Sequence, residues 1–263
     1  MNKFNFDSIL RKFFPSKYGW FGNYESWKLA KCLSTGYDFD NIFKKCCDAS
    51  KEVINGTAKY ERDTKLFYKN EYNWPLLSNL MWLGCLNNGS LNLIDFGGSL
   101  GSTYFQHISF FSNLKLNWNI IEQDSYVEYG KNNLQNHTLK FFNNLNQCYR
   151  EEKSNIILLS SVLPYIEKPF DLLEDVNKLN IEYILIDRTY FYEDQDDRLT
   201  IQKVSPTIYD ASYPCWIFSQ DKFLRNLENK FKIVNDFEAI GGKICIYNPK
   251  SCFISKGMLI KKI

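Results

Sequence analysis

The stretch Leu91-Asn92-Leu93-Ile94-Asp95-Phe96-Gly97-Gly98-Ser99-Leu100-Gly101 runs from an apolar segment through a carboxylate into a glycine-rich turn. Residues 102–112 then read as a helix. That strand–turn–helix order is how α/β proteins seat an adenosine-containing ligand at the carboxyl end of a parallel strand. Glycines permit the sharp turn and let the backbone approach a ligand, since no Cβ intervenes. About 21 residues past Gly101, a second apolar run (Leu116, Trp118, Ile120, Ile121) ends in Glu122. A carboxylate at that point can accept hydrogen bonds from both hydroxyls of a ribose.

The carboxylate before the turn selects among adenosine ligands. A dinucleotide brings its pyrophosphate against the turn, and Asp95, two residues ahead of Gly97, would repel it. A positively charged sulfonium is attracted by the same group, directly or through water. The turn resembles the acidic-x-Gly-x-Gly-x-Gly loop of class I methyltransferases, read as Asp95, Gly97, position 99 and Gly101. Position 99 is Ser, and the additional glycine is Gly98. The cofactor expected is therefore S-adenosylmethionine, with Asp95, Gly97, Gly98 and Gly101 shaping the loop, Glu122 on the ribose and Gln123 beside the adenine.

Composition sets the bounds. With 263 residues and a formal charge of +2, the chain can bury a full α/β core and has no electrostatic reason to bind a polyanion, so nucleic acid is not an expected partner. The eight cysteines include no C-x-x-C, and His107 and His137 lie far apart. No metal site is expected, and the cysteines read as reduced and mostly buried, as in a cytoplasmic protein. No run approaches the ~18 apolar residues of a membrane span. Phe4, Phe6, Ile9, Leu10, Phe13 and Phe14, interspersed with Lys3, Arg11 and Lys12, read as an amphipathic helix docked on its own domain, with peripheral membrane contact as the alternative.

The pattern changes near residue 86. Residues 1–85 read as a helical, aromatic-rich cap, and 72–86 have helical period. From 86 to 263, strands (91–95, 116–121, 138–142, 154–160, 181–187, 231–237, 257–262) alternate with helices (102–112, 125–135, 169–178, 219–229, the last capped by Ser219). This alternation predicts a mainly parallel sheet covered on both faces. An insertion at 188–218 is long enough to build one wall of a cleft. Residues 238–256 read as a second irregular piece, joining the last two strands as an elaborated hairpin.

At the fourth strand end stands Ser160-Ser161-Val162-Leu163-Pro164-Tyr165. Enzymes that methylate exocyclic base amines often carry Asn/Asp-Pro-Pro-Tyr there; the two serines argue against that chemistry. Ser160 and Ser161 are expected beside the cofactor, and Tyr165 either lines the cleft or packs. At the fifth strand end, Arg188 of Asp187-Arg188-Thr189-Tyr190 either clamps an anionic acceptor with its planar fork or pairs structurally with Asp187. His107, nearly two turns along the first core helix, lies too deep to serve as a base. Methyl transfer from a sulfonium needs alignment above all; a base is needed only for a neutral hydroxyl acceptor.

The chain resembles a family of methyltransferases encoded in bacterial capsule and O-antigen gene clusters. The likeness spans Phe21-Gly22-Asn23-Tyr24-Glu25-Ser26-Trp27, Ser34-Thr35-Gly36-Tyr37-Asp38, the 95–102 loop, Ser161-Val162-Leu163-Pro164-Tyr165, Asp187-Arg188-Thr189 and Tyr209 to Pro214. It implies a mixed seven-stranded Rossmann-like class I methyltransferase sheet with an antiparallel last strand. It also implies an O-methyl transfer to an envelope-glycan precursor, at a phosphoramidate group or a sugar hydroxyl, and the dense aromatic signature of the N-terminal segment leads to the expectation of a helical cap that closes over the cofactor. Arg188 and Tyr165 are then the catalytic candidates, and Tyr24, Tyr37, Arg188, Tyr209 and Tyr213 the acceptor-side ones. A nicotinamide-dependent sugar-nucleotide reductase shares the sheet and is the rival enzyme. A non-catalytic adaptor is the rival without chemistry.

Overall fold

Residues 17–36, 39–247 and 250–263 are described by the computed structural model of the chain. Tyr37 and the basic, aromatic segment up to Phe14 lie outside the described residues. Ahead of the core come β1 (Gly19–Phe21), α1 (Trp27–Cys32), α2 (Phe39–Ile54), β2 (Tyr60–Arg62), β3 (Lys65–Phe67) and α3 (Trp74–Leu86). Helices alone are predicted here, and the three strands are the departure. Asp63 and Thr64 both take positive φ (52° and 67°), the turn that closes a two-residue hairpin. Ser26 caps α1 and Asn73 caps α3, each side chain accepting the N–H three residues on.

The core continues with β4 (Ser90–Phe96), α4 (Ser102–His107), β5 (Lys115–Ile121), α5 (Asp124–Asn133), β6 (Leu139–Phe142), α6 (Leu145–Glu152) and β7 (Ile156–Ser160). After these come α7 (Pro169–Lys178), β8 (Tyr183–Tyr192), β9 (Arg198–Lys203), β10 (Ser212–Ser219), α8 (Gln220–Leu227), β11 (Phe231–Tyr247) and β12 (Lys250–Lys262). Ser219 caps α8 as expected, its hydroxyl accepting from Lys222 N–H. The helix α6, set by the Asn144 cap, is short and mostly polar and falls outside the predicted helices.

Hydrogen bonding orders the principal strands β6-β5-β4-β7-β8-β12-β11, with β12 antiparallel to both of its neighbours. Counted along the chain, that is 3-2-1-4-5-7-6 with the seventh strand reversed, the sheet of a class I methyltransferase. Side chains alternate between two cores: Leu93, Leu158 and Leu185 pack on one face, while Ile94, Ile157, Leu159, Ile184 and Ile186 pack on the other. Burial on both faces explains the continuous apolar runs.

The two segments that break the alternation are built of strands, and the hairpin expected between the last two strands is present. The 188–218 insertion is the antiparallel pair β9–β10, with β10 meeting the far end of β8 at Phe191 and Tyr192, and β1 adding an outer strand against β9. Residues 238–256 extend the β11–β12 hairpin, bulged between Glu238 and Lys243, where Gly241 and Gly242 take positive φ. Directly opposed in this hairpin, Cys245 and Cys252 bring their Cα atoms to 4.1 Å and form a disulfide. This corrects the expectation of eight reduced cysteines; the other six are free, and Cys46, Cys47, Cys148 and Cys215 are buried. Among the described residues, no helix is long and apolar enough to cross a membrane.

Candidate active site

The chain runs outward from β4 through β5 to β6, then returns to place β7 on the other side of β4. Crevices in open α/β sheets form at such a reversal, outside the carboxyl ends of the strands. Asp95 lies there, paired in register with Leu158, which carries Ser160 level with the glycine turn.

Asp95 is 1 % exposed. Its Oδ2 accepts the Trp118 indole N–H at 2.9 Å. Burial pushes its carboxyl up to about 7, against the lowering effect of that hydrogen bond, and nearby Glu122 adds to the rise. Gly97 and Gly101 take φ of +70° and +94°. Gly98 is required for space rather than conformation, because a Cβ there would stand 2.6 Å from the Asp95 carboxyl. The turn is thus folded onto the carboxylate.

Glu122 closes the other side of the turn. Its Oε1 accepts Ser99 N–H at 3.3 Å and its Oε2 accepts Gln123 N–H at 2.9 Å. Burial raises its carboxyl, and these amides work against that rise. Each oxygen keeps a lone pair for a further donor.

Two residues from the segment before the core touch this turn. Glu61 of β2 is buried and accepts a short hydrogen bond from the Ser102 hydroxyl, and Thr64 N–H donates to it at 3.1 Å. Burial pushes Glu61 up to about 7. Cys46 of α2 shares a hydrogen bond with Tyr126 and another with Ser99; burial pushes its thiol up to about 12. Neither Glu61 nor Cys46 is foreshadowed by a motif.

Beside the turn lies a cavity of about 20 Å³, bordered by Arg62, Asn73, Ser102, Ser160, Asp187 and Arg188 among others. That is room for about one water-sized group. A connected network builds its wall. Ser160 Oγ donates to Asp187 Oδ2 at 2.8 Å, and Asn73 Nδ2 donates to the same oxygen at 3.3 Å. Arg188 Nε donates to Ser160 Oγ at 3.3 Å, and its guanidinium pairs with Asp63 at 3.6 Å and Asp187 at 3.8 Å. Burial works against the Arg188 charge, but the two carboxylates outweigh it and raise its pKa.

His107 supports this wall from behind. It is fully buried; Nδ1 bonds the Thr103 carbonyl at 2.9 Å and Nε2 accepts Asn73 N–H at 3.2 Å. The pair of contacts assigns the neutral Nδ1–H tautomer, and burial lowers its pKa. Ser99, Ser161 and Arg188 all take positive φ (53°, 60° and 50°), as do Asp63 and Thr64. Non-glycine residues held there cost about 1–3 kcal/mol each and gather at functional sites.

The aromatic candidates fall elsewhere. Tyr165 is not part of the cavity wall: its hydroxyl donates to Gln202 Oε1 at 2.8 Å and shares a bond with Tyr190 at 3.1 Å. Burial pushes its phenol well above the ordinary value. Tyr209 and Tyr213 join hydroxyls at 3.2 Å within the core. Tyr24 packs near Leu199 and Ile201, its N–H on the Leu199 carbonyl, and Gly22 is needed there because a Cβ would meet the Tyr24 ring at 2.5 Å. Arg198 donates twice to the Gly22 carbonyl. The Phe21–Trp27 signature therefore secures the insertion. Arg62, Asn73 and Asp187, none of them picked out as site residues from sequence, form the wall instead; only the Asp187-Arg188 pair at a strand end signalled it.

No protein-family model and no curated protein matches the chain. Among solved structures it is similar to the N-terminal domain of EvdMO1 with SAH bound, at 10% identity over 86% of this chain and 98% of that one, TM-score 0.49. It is also similar to an S-adenosylmethionine-dependent methyltransferase from Clostridium acetobutylicum, at 12% identity over 83% and 98%, TM-score 0.45. A third is 1,6-didemethyltoxoflavin-N1-methyltransferase from Burkholderia thailandensis, at 12% identity over 88% and 91%, TM-score 0.42.

Proposed function

We propose that the chain is an S-adenosylmethionine-dependent O-methyltransferase acting on an envelope-glycan precursor in the cytoplasm. One observation carries the cofactor reading: a buried carboxylate, Asp95, lies under the glycine turn at the chain reversal. A pyrophosphate brought to that turn meets a negative charge, and a sulfonium meets its counter-ion. The donor set fits the cofactor, since Glu122 retains lone pairs for ribose hydroxyls and Gln123 follows it at the start of α5. When bound, S-adenosylmethionine supplies an activated methyl group. Asp95 then holds the cationic end, Glu122 the ribose, and Ser160 and Ser161 border the region between cofactor and acceptor. Glu61 and Cys46, resting on Ser102 and Ser99, make the segment before residue 86 the cover of that site.

The acceptor reading rests on the likeness to capsule and O-antigen cluster methyltransferases and on Arg188, whose guanidinium suits a phosphoryl-type or carboxylate group. A nucleotide-linked glycan carrying a phosphoramidate or free sugar hydroxyl has both features. Incubation with methyl-tritiated S-adenosylmethionine and a bacterial envelope extract tests this. Label in the nucleotide-linked fraction supports it; binding of NADH with no binding of S-adenosylhomocysteine refutes it.

A further inference from the structure

Asp187 is the carboxylate around the turn that has a fully buried oxygen without a hydrogen-bond partner among the described residues. Oδ2 takes Ser160 and Asn73 and faces the Arg188 Nε at 3.8 Å. Oδ1 is buried with no hydrogen-bond partner among the described residues. The residue is 1 % exposed and lines the cavity. A buried carboxylate oxygen left without a donor costs about 1–3 kcal/mol or more, while its sister oxygen is held from two different elements. Such an arrangement fixes the carboxylate and reserves one lone-pair face for an incoming O–H.

Resting on the methyltransferase reading above, we propose that Asp187 is the general base and that the acceptor presents a neutral hydroxyl. As the hydroxyl oxygen bonds to the methyl carbon, the carbon–sulfur bond breaks and its electron pair stays on sulfur. The hydroxyl proton passes to Asp187 Oδ1 and later to solvent. Ser160 and Asn73 keep the carboxylate oriented throughout, and Arg188 keeps Ser160 oriented. An anionic phosphoryl oxygen needs no base, so this wall favours a sugar-type hydroxyl, with Arg62 and Arg188 bordering the same cavity as the cationic side of the wall.

The test uses the full chain labelled with carboxyl-¹³C aspartate, saturated with S-adenosylhomocysteine. The Asp187 resonance is assigned by its loss in Asp187→Asn, or by its displacement in Ser160→Ala if the first variant does not fold. Methanol, the smallest alcohol, is the hydroxyl probe. A saturable shift of the Asp187 resonance is expected, and no shift overturns the proposal. In the envelope-extract assay, Asp187→Asn should hold S-adenosylhomocysteine affinity within about twofold while losing about 100-fold or more of methyl incorporation; a retained rate also overturns it. If S-adenosylhomocysteine does not bind, the cofactor reading falls, and the methanol response of the unliganded chain still decides the role of Asp187.

Discussion

Replacing Asp95 with Asn should stabilise the fold by an amount that depends on pH in a calculable way. Burial lifts the Asp95 carboxyl from an ordinary 3.8 to about 7, so the folded chain holds that proton more tightly than the unfolded one. The stability this contributes is complete below the unfolded value and is lost as pH rises through the folded value. At about 1.4 kcal/mol per unit, the gap amounts to about 4 kcal/mol above pH ~8. Asn accepts the Trp118 indole N–H and never ionises, so it escapes this loss. Urea denaturation of both proteins from about pH 4 to about pH 8 should show the advantage of Asp95→Asn growing from a constant offset by about 4 kcal/mol. Glu61, also raised to about 7, titrates in both proteins and cancels in the difference. A difference that stays flat with pH would refute the claim that this carboxylate is desolvated beneath the turn.

Three further outcomes follow from the structure. Gly98→Ala places a Cβ 2.6 Å from the Asp95 carboxyl, so it should cost about 1–3 kcal/mol in urea denaturation and weaken S-adenosylhomocysteine binding. His107, whose pKa burial lowers, should titrate below 6.5 by NMR. Because its neutral form is the one that accepts Asn73 N–H, its contribution to stability is present above the unfolded value and falls as pH drops below about 6.5. Alkylation in denaturant without reductant should modify the six free cysteines and, after reduction, all eight.

The sheet was legible because strands buried on both faces announce themselves as uninterrupted apolar runs, and Asp95 and Glu122 because each terminates one. The wall around Asp187 was not. Asn73 and Arg62 lie in a segment that reads as helical and carries no motif to mark them, and only the fold brings them to the cavity lined by Ser160 and Asp187, which pair across β7 and β8. Tyr165, Tyr209 and Tyr213 carry no periodicity that distinguishes a ring facing a ligand from one facing another ring. Cys245 and Cys252, seven residues apart, pair through a hairpin register that the expectation of an elaborated hairpin does not specify.

The central claim is that Asp95 faces a positive sulfur. Calorimetry with S-adenosylmethionine and S-adenosylhomocysteine at about pH 6 and about pH 8 measures this, since the two ligands differ in the charged sulfonium. Preference for S-adenosylmethionine should rise roughly tenfold across that range as Asp95 ionises, and the rise should vanish in Asp95→Asn. A preference that ignores pH in the native chain, or tight binding of NADH in place of either ligand, would contradict it.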